Sequence, residues 1–242
     1  MIDLHSHIIP NIDDGSRSLD ETISLCLQSV DAGVTHMLCT PHMHFGKFDY
    51  FIDDIAHAFN LMVSEVKERN INLKLAFAAE VRISHEILAL QQEGKLPYIG
   101  LYNNKAALLL ELPHSHIPPG ADKLIKWLLN KNVQPVIPHP ERNREILTNF
   151  KKLLWLKQIG CVFQITAGSL TGRFKQEPYE MAWRMLDQNL VEYVASDLHS
   201  INRRPNDMGD AYKLVESNLS ASLARKLFLE SPGKITSDIK WQ

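Results

Sequence analysis

Cysteine is scarce in this chain. The 242 residues include three, Cys26, Cys39 and Cys161, far apart and without a CxxC pair. That excludes a disulfide framework and thiolate metal sites, and predicts three small buried core residues in a reducing compartment. None begins a CxxxxxR sequence, so a cysteine phosphate loop is also excluded. There is no GxGxxG turn and no P-loop. No apolar run approaches the ~20 residues of a membrane span. The opening MIDLHSH lacks the basic and apolar regions of a secretory signal, which predicts a cytoplasmic protein with no membrane insertion. Charge of one sign is not in excess either. Lys and Arg number 26 against 28 Asp and Glu. Nothing therefore points to nucleic acid as a partner.

What is present is a repeated pattern. Seven short, nearly continuous apolar runs read as strands buried on both faces: 2–4, 34–40, 73–80, 106–112, 133–138, 161–166 and 192–196. Segments of helical period lie between them, near 50–69, 84–93, 120–130, 144–158, 178–188 and 205–216, with a last one near 220–229. The first helix has Ser18 as its cap, Asp20 and Glu21 in its first turn, an apolar stripe of Ile23, Leu27 and Val30, and Gly33 at its end. No polar linker divides the chain, so 1–242 is expected to be a single domain. Repeated βα units mean parallel strands, in an open sheet or a closed barrel.

The polar residues favour closure. His5, His7 and Asp14 follow the first strand, and His42 and His44 follow the second. Glu80 ends the third and Glu111 the fourth. His139 follows the fifth, and Asp197 and His199 the seventh. In a parallel barrel these strand ends meet at one mouth, whereas an open sheet spreads them along a line. Glu80 and Glu111 end apolar runs, where an unpaired carboxylate is costly and a cation removes the cost. Imidazole and carboxylate without thiolate suit Mn, Fe or Zn. Nine candidate ligands exceed the needs of one ion, and three fit best. Three divalent ions against Asp14, Glu80, Glu111 and Asp197 leave two positive charges, which suits a phosphate dianion. Arg142 and the Arg203–Arg204 pair stand beside the ligands, and guanidinium forks match phosphate oxygens. His44 reads equally as an outer acid, a lid residue or a solvated side chain. His114 and His116 read as loop residues in solvent.

These motifs together resemble a known family. DLHSHIIPNIDDG, TPH, the Glu of AAEV, PHPER and SDLH are similar to the PHP (polymerase and histidinol phosphatase) superfamily. ITAGSLTGRF at Ile165–Phe174, with RRP later, resembles its bacterial metal-dependent tyrosine-protein phosphatases of capsule and exopolysaccharide synthesis. The resemblance implies an α/β fold, a distorted (β/α)7 barrel of TIM type, with a trinuclear centre. It implies one ion on His5, His7, Glu80 and Asp197, a second on Glu80, Glu111 and His139, and a third on Asp14, His42 and His199. Arg142 and Arg204 match phosphate-binding positions. The family often has HH after TP, where this chain has His42–Met43 and then His44. The implied partner is a tyrosine autokinase with a phosphorylated tail.

The expected activity is hydrolysis of protein phosphotyrosine by a metal-bound hydroxide, with Mn as the expected metal and Fe or Zn as alternatives. A histidinol-phosphate phosphatase on the same scaffold is the nearest rival. A non-catalytic phosphotail-binding module and a nuclease are weaker ones, set against the complete ligand set and the missing basic stripe.

Overall fold

The computed structural model describes residues 1–242. All seven expected strands form, and two of them are kinked. β1 is Ile2–Ser6. The second strand is broken into β2, His36–Cys39, and β3, His42–Met43. The third is broken into β4, Lys74–Phe77, and β5, Glu80–Arg82. A short β6, Leu101–Tyr102, turns back antiparallel onto β7, Lys105–Glu111. β8, Val133–Pro138, β9, Val162–Thr166, and β10, Tyr193–Ala195, complete the set.

The ladder runs parallel from β1 through β2 to β4, and from β3 through β5, β7, β8 and β9 to β10. Backbone bonds carry it across both kinks, from Ala78 N to Cys39 O (2.9 Å) and from Glu80 N to Pro41 O (3.0 Å). The circuit closes where Asp197 N donates to His5 O and His7 N to Leu198 O, both at 2.8 Å. The result is the expected closed barrel of seven strand positions, its last strand bonded to its first.

Two apolar layers hold it. Alternate strand residues, among them Leu4, Leu38, Ala76, Leu109, Val136, Val162 and Tyr193, fill the barrel interior. A larger layer of 51 buried residues lies between strands and helices. All three cysteines are buried and free. Burial pushes the Cys26 and Cys161 thiols up to about 12 and raises that of Cys39 as well. At the foot of the barrel the chain end returns, and Gln242 and Leu75 exchange backbone hydrogen bonds of 2.8 and 3.0 Å.

Helix α1, Leu19–Asp31, starts as expected, with Ser18 Oγ accepting from Glu21 N, and Gly33 follows its end at φ +85°. α2 spans Ile52–Glu68, α3 Glu86–Gln92 and α4 Ala121–Asn130. The expected 144–158 helix is two helices, α5 Arg144–Thr148 and α6 Lys151–Gln158. Asn149 leaves helical geometry (φ −143°, ψ 88°), and its side chain accepts from Lys151 N to start the second. α7, Ala167–Leu170, α8, Gln176–Asp187, and α9, Met208–Asn218, follow. The last expected helix starts at the Ser220 cap and runs past 229 to Ile235. A wider turn over Lys226–Glu230 accommodates Pro232, which has no N–H to donate.

Candidate metal centre

The mouth of the barrel brings together all nine residues singled out as ligands. The kinks in the second and third strands present His42 and Glu80 side by side, in register across β3 and β5. His139 (φ +39°) and Asp197 (φ +52°) end their strands in the left-handed region, and both side chains reach the cluster. Such backbone is uncommon outside Gly and is tolerated best by Asn, Asp and His.

Hydrogen bonds at the backs of the rings decide which nitrogens face inward. His5 Nδ1 donates to Gln164 Oε1 (2.9 Å), and that amide is itself oriented by its N–H to Ile165 O (2.7 Å). His7 Nδ1 donates to Asp13 Oδ2 (2.6 Å), and His199 Nδ1 to Asp197 O (2.9 Å). The Nε2 atoms of His5 and His7 then face one another at 3.1 Å, open to a cation once His7 has lost its second proton. Glu80 is fully buried among imidazoles. Its Oε1 lies 2.7 Å from His139 Nε2, and its Oε2 lies 2.9, 3.3 and 3.5 Å from His42, His5 and His7. His42 Nδ1, Glu80 Oε2, Glu111 Oε2 and His199 Nε2 are buried without a hydrogen-bond partner. Inward lone pairs and orphaned acceptors in one place are what a cation requires.

The donors form four overlapping groups: His7, Asp14, His42 and His199; His5, His7 and Glu80; His5, His139 and Asp197; and His42, Glu80 and Glu111. Asp14 is half-exposed and marks the solvent side. Without a cation, burial and the charge of Glu80 lift Glu111 to about 7. Burial works against protonation of His7, but Asp13 outweighs it and raises the ring to about 9. Burial and Arg142 lower His139 to about 3, and burial and His7 lower His199 to about 4.

Arg142 and Arg204 both donate to Asp197 Oδ2, while Asp197 Oδ1 faces His5 at 3.4 Å and His7 at 3.5 Å. One carboxylate thus joins the cluster to both guanidiniums. Their charge outweighs burial and holds Asp197 well below the usual carboxylate range. The two arginines line a hollow of about 580 Å³, in which only four of 22 lining residues are hydrophobic. Charged side chains, four of them arginines, thus stand beside apolar ones such as Leu112 and Phe174 in its lining.

Residues 1–237 match the capsular polysaccharide synthesis family CpsB/CapC. The chain belongs to this family. It is 34% identical over 206 residues to the putative tyrosine-protein phosphatase CapC of Staphylococcus aureus, covering 85% of this chain and 79% of CapC. It is 32% identical over 223 residues to the tyrosine-protein phosphatase YwqE of Bacillus subtilis, covering 92% and 87%. Its fold matches a chain from the crystal structures of YwqE and Streptococcus pneumoniae CpsB, described as metal-dependent tyrosine phosphatases. The TM-score is 0.89 at 30% identity, over 100% of this chain and 97% of the other.

Several residues of this family member's site were not singled out from the sequence. Asp13 and Gln164 orient His7 and His5. Arg82 donates to Glu111 Oε1 at 2.9 Å. Glu141 Oε1 accepts from Thr166 N (2.8 Å) and Ser169 Oγ (2.7 Å), tying the turn that carries Arg142 to α7. Phe174 lies under Arg142 (4.7 Å) and Arg204 (5.9 Å), and the adjacent Arg173 makes a two-pronged pair with Asp207. This accounts for the ITAGSLTGRF motif, whose Gly168 has no room for a Cβ: one would lie 2.9 Å from Phe174 and 3.0 Å from Asp207. His44 is not brought into the cluster. Its backbone forms the turn with Phe48, whose ring stacks on His42 at 5.6 Å. His114 and His116 are exposed, though His114 lines the hollow.

The glycine of the IDDG motif is required by close approach. A Cβ on Gly15 would lie 2.0 Å from the His7 carbonyl oxygen. Gly15→Ala should destabilise the fold by about 3 kcal/mol, at the upper end for overpacking, and displace His7. Denaturant melts of the apo protein would measure it, and unchanged stability would contradict this packing.

Proposed function

We propose that this chain is a metal-dependent phosphatase that removes phosphate from tyrosine in proteins, acting in the cytoplasm on a tyrosine autokinase of polysaccharide synthesis. The observation that carries the reading is a set of nine N and O donors, with lone pairs turned inward, coupled through Asp197 to two guanidiniums. We assign three divalent ions, Mn in preference to Fe or Zn. The first is held by His5, His7, Glu80 and Asp197, the second by Glu80, Glu111 and His139, and the third by Asp14, His42 and His199. When bound, the ions supply an activated water and polarise phosphoryl oxygens. Arg142 and Arg204 hold the remaining oxygens and oppose the charge that develops during transfer. Asp13 and Gln164 keep the His7 and His5 rings from rotating. A phenolate leaves more readily than an alkoxide, so no strong acid is required of the chain.

The test pairs two inhibitors with two substrates. A strong chelator should abolish turnover of a phosphotyrosine peptide, and added Mn²⁺ should restore it. A thiol-blocking reagent should leave turnover intact, because the three thiols are buried. Loss with the thiol reagent in folded, metal-loaded enzyme would sink the reading. If histidinol phosphate were the better substrate by orders of magnitude, the small-molecule alternative would replace it.

Loading should depend on pH. Metal must displace a proton from His7, whose ring sits near 9 without it, and from Glu111, near 7. Each group is protonated below its value, so affinity falls as pH falls. His7 alone predicts Mn²⁺ binding about a hundredfold weaker at pH 6 than at pH 8, one decade per pH unit for one displaced proton. Titration calorimetry at the two pH values measures this, and a flat profile would exclude the assignment of His7.

A further inference from the structure

The charge around the mouth is uneven. Apart from the proposed ligands, the hollow is lined by six cations, Lys47, Arg82, Arg142, Arg144, Lys175 and Arg204, and one carboxylate, Glu177. The whole chain carries a net −2, so this excess is local. Arg142 and Arg204 serve Asp197 and the phosphate, and Arg82 holds Glu111. Lys47, Arg144 and Lys175 are exposed, and no ion pair occupies them. Arg144 and Lys175 follow β8 and β9, neighbours in the ladder, so they share one flank of the mouth.

Two further observations single out that flank. Lys175 has φ +75° and ψ −176°, a region that is essentially glycine's own. A lysine held there carries strain, and such strain gathers at ligand clamps. On the same side a second hollow of about 500 Å³ shares Arg144, Leu147 and Glu177 with the first, so the site continues outward along the protein surface. Inorganic phosphate or a small ester would not reach this extension, whereas a polypeptide bearing the phosphate would.

We propose that Arg144 and Lys175 form a second anion site, which binds an anionic side chain flanking the phosphotyrosine of a polypeptide substrate. This rests on the protein-phosphatase reading above. The anion is a carboxylate or a second phosphate, since either chemistry suits these cations.

The experiment compares phosphotyrosine peptides that differ only at the flanking positions: Glu, Gln, Lys or a second phosphotyrosine. A small aryl phosphate serves as control. kcat/KM is measured for wild type, Arg144→Glu, Lys175→Glu and Lys175→Gly at low and high salt. In wild type, an anionic flank should exceed Gln by about five- to tenfold, and salt should erase the gain. Which anionic peptide gains identifies the anion. The charge reversals should abolish or invert the preference and leave the small ester within about twofold. Lys175→Gly should lose the preference while its melting temperature rises, because it removes the strain with the charge. Equal kcat/KM for the Glu, Gln and phosphotyrosine flanks in wild type would overturn the proposal, as would a preference that survives both reversals. Turnover of the small ester with none of any peptide would sink the protein-phosphatase reading and this site with it.

Discussion

Glu80→Gln should nearly abolish both metal binding and turnover. Glu80 is the one side chain within 3.5 Å of four imidazoles, those of His5, His7, His42 and His139. It is also the residue assigned to two ions. An amide has the same shape but lacks the charge, and its NH₂ group has no lone pair to offer a cation. Removing an outer partner of a metal site costs ten- to a hundredfold in affinity, so loss of this bridge should exceed about a hundredfold. The apo fold should weaken as well, because the buried carboxylate of Glu80 is the charge that favours protonation of the His42 ring against its burial. Metal analysis, kcat/KM and a melting curve on one preparation cover all three effects. Full metal content with near-normal turnover would show that Glu80 does not bridge.

The second large effect belongs to the arginines. Arg142→Ala or Arg204→Ala should each cost roughly 2–4 kcal/mol of transition-state stabilisation, as for the loss of one preorganised oxyanion donor. The loss should be similar for a phosphotyrosine peptide and a small aryl phosphate, since the proposed role of both residues is toward the phosphate and not its carrier. Because the two guanidiniums share Asp197 Oδ2, their effects should not add. The double variant should lose less than the product of the single losses, since the second removal acts on an Asp197 already released from one partner. A loss confined to the peptide would move these residues from phosphate binding to protein recognition.

Much of this site could be read from the chain alone because buried parallel strands leave long apolar runs, and residues that ligate cations stand out at their ends. Glu80 after AFAA and Glu111 after ALLL are conspicuous for that reason. What could not be read depends on distinctions that the residue type does not carry. Asp13 and Asp14 are adjacent and alike, yet one is buried against His7 and the other is half-exposed beside His42. The kink at Ala78–Ala79 falls inside an uninterrupted apolar run, so no change of pattern marks it, whereas the one at Thr40–Pro41 sits at a proline, a breaker visible in the sequence just past the run at 34–40. The helical period continues through Asn149, whose side chain nevertheless starts a new helix. Gln164, Arg82 and Phe174 act through partners distant in sequence, and each is an ordinary residue in its own segment. His44 has the composition of a site residue, but the turn with Phe48 uses its backbone.

The seam between the first and last strands also bears on the order in which the molecule can assemble. His5 and Asp197 become neighbours only when segments nearly two hundred residues apart are joined. Closing so long a loop is entropically costly before any contact rewards it, and folds dominated by such contacts form slowly. A nascent chain emerging from the ribosome presents His5 and His7 long before Asp197, so the ligand set proposed for the first ion is incomplete until the last strand has been made. If the assignment to His5, His7, Glu80 and Asp197 holds, loading of that ion is placed at the end of folding. An unclosed β1 is, until then, an unpaired edge open to aggregation, so yield on refolding should respond to how quickly the ring shuts.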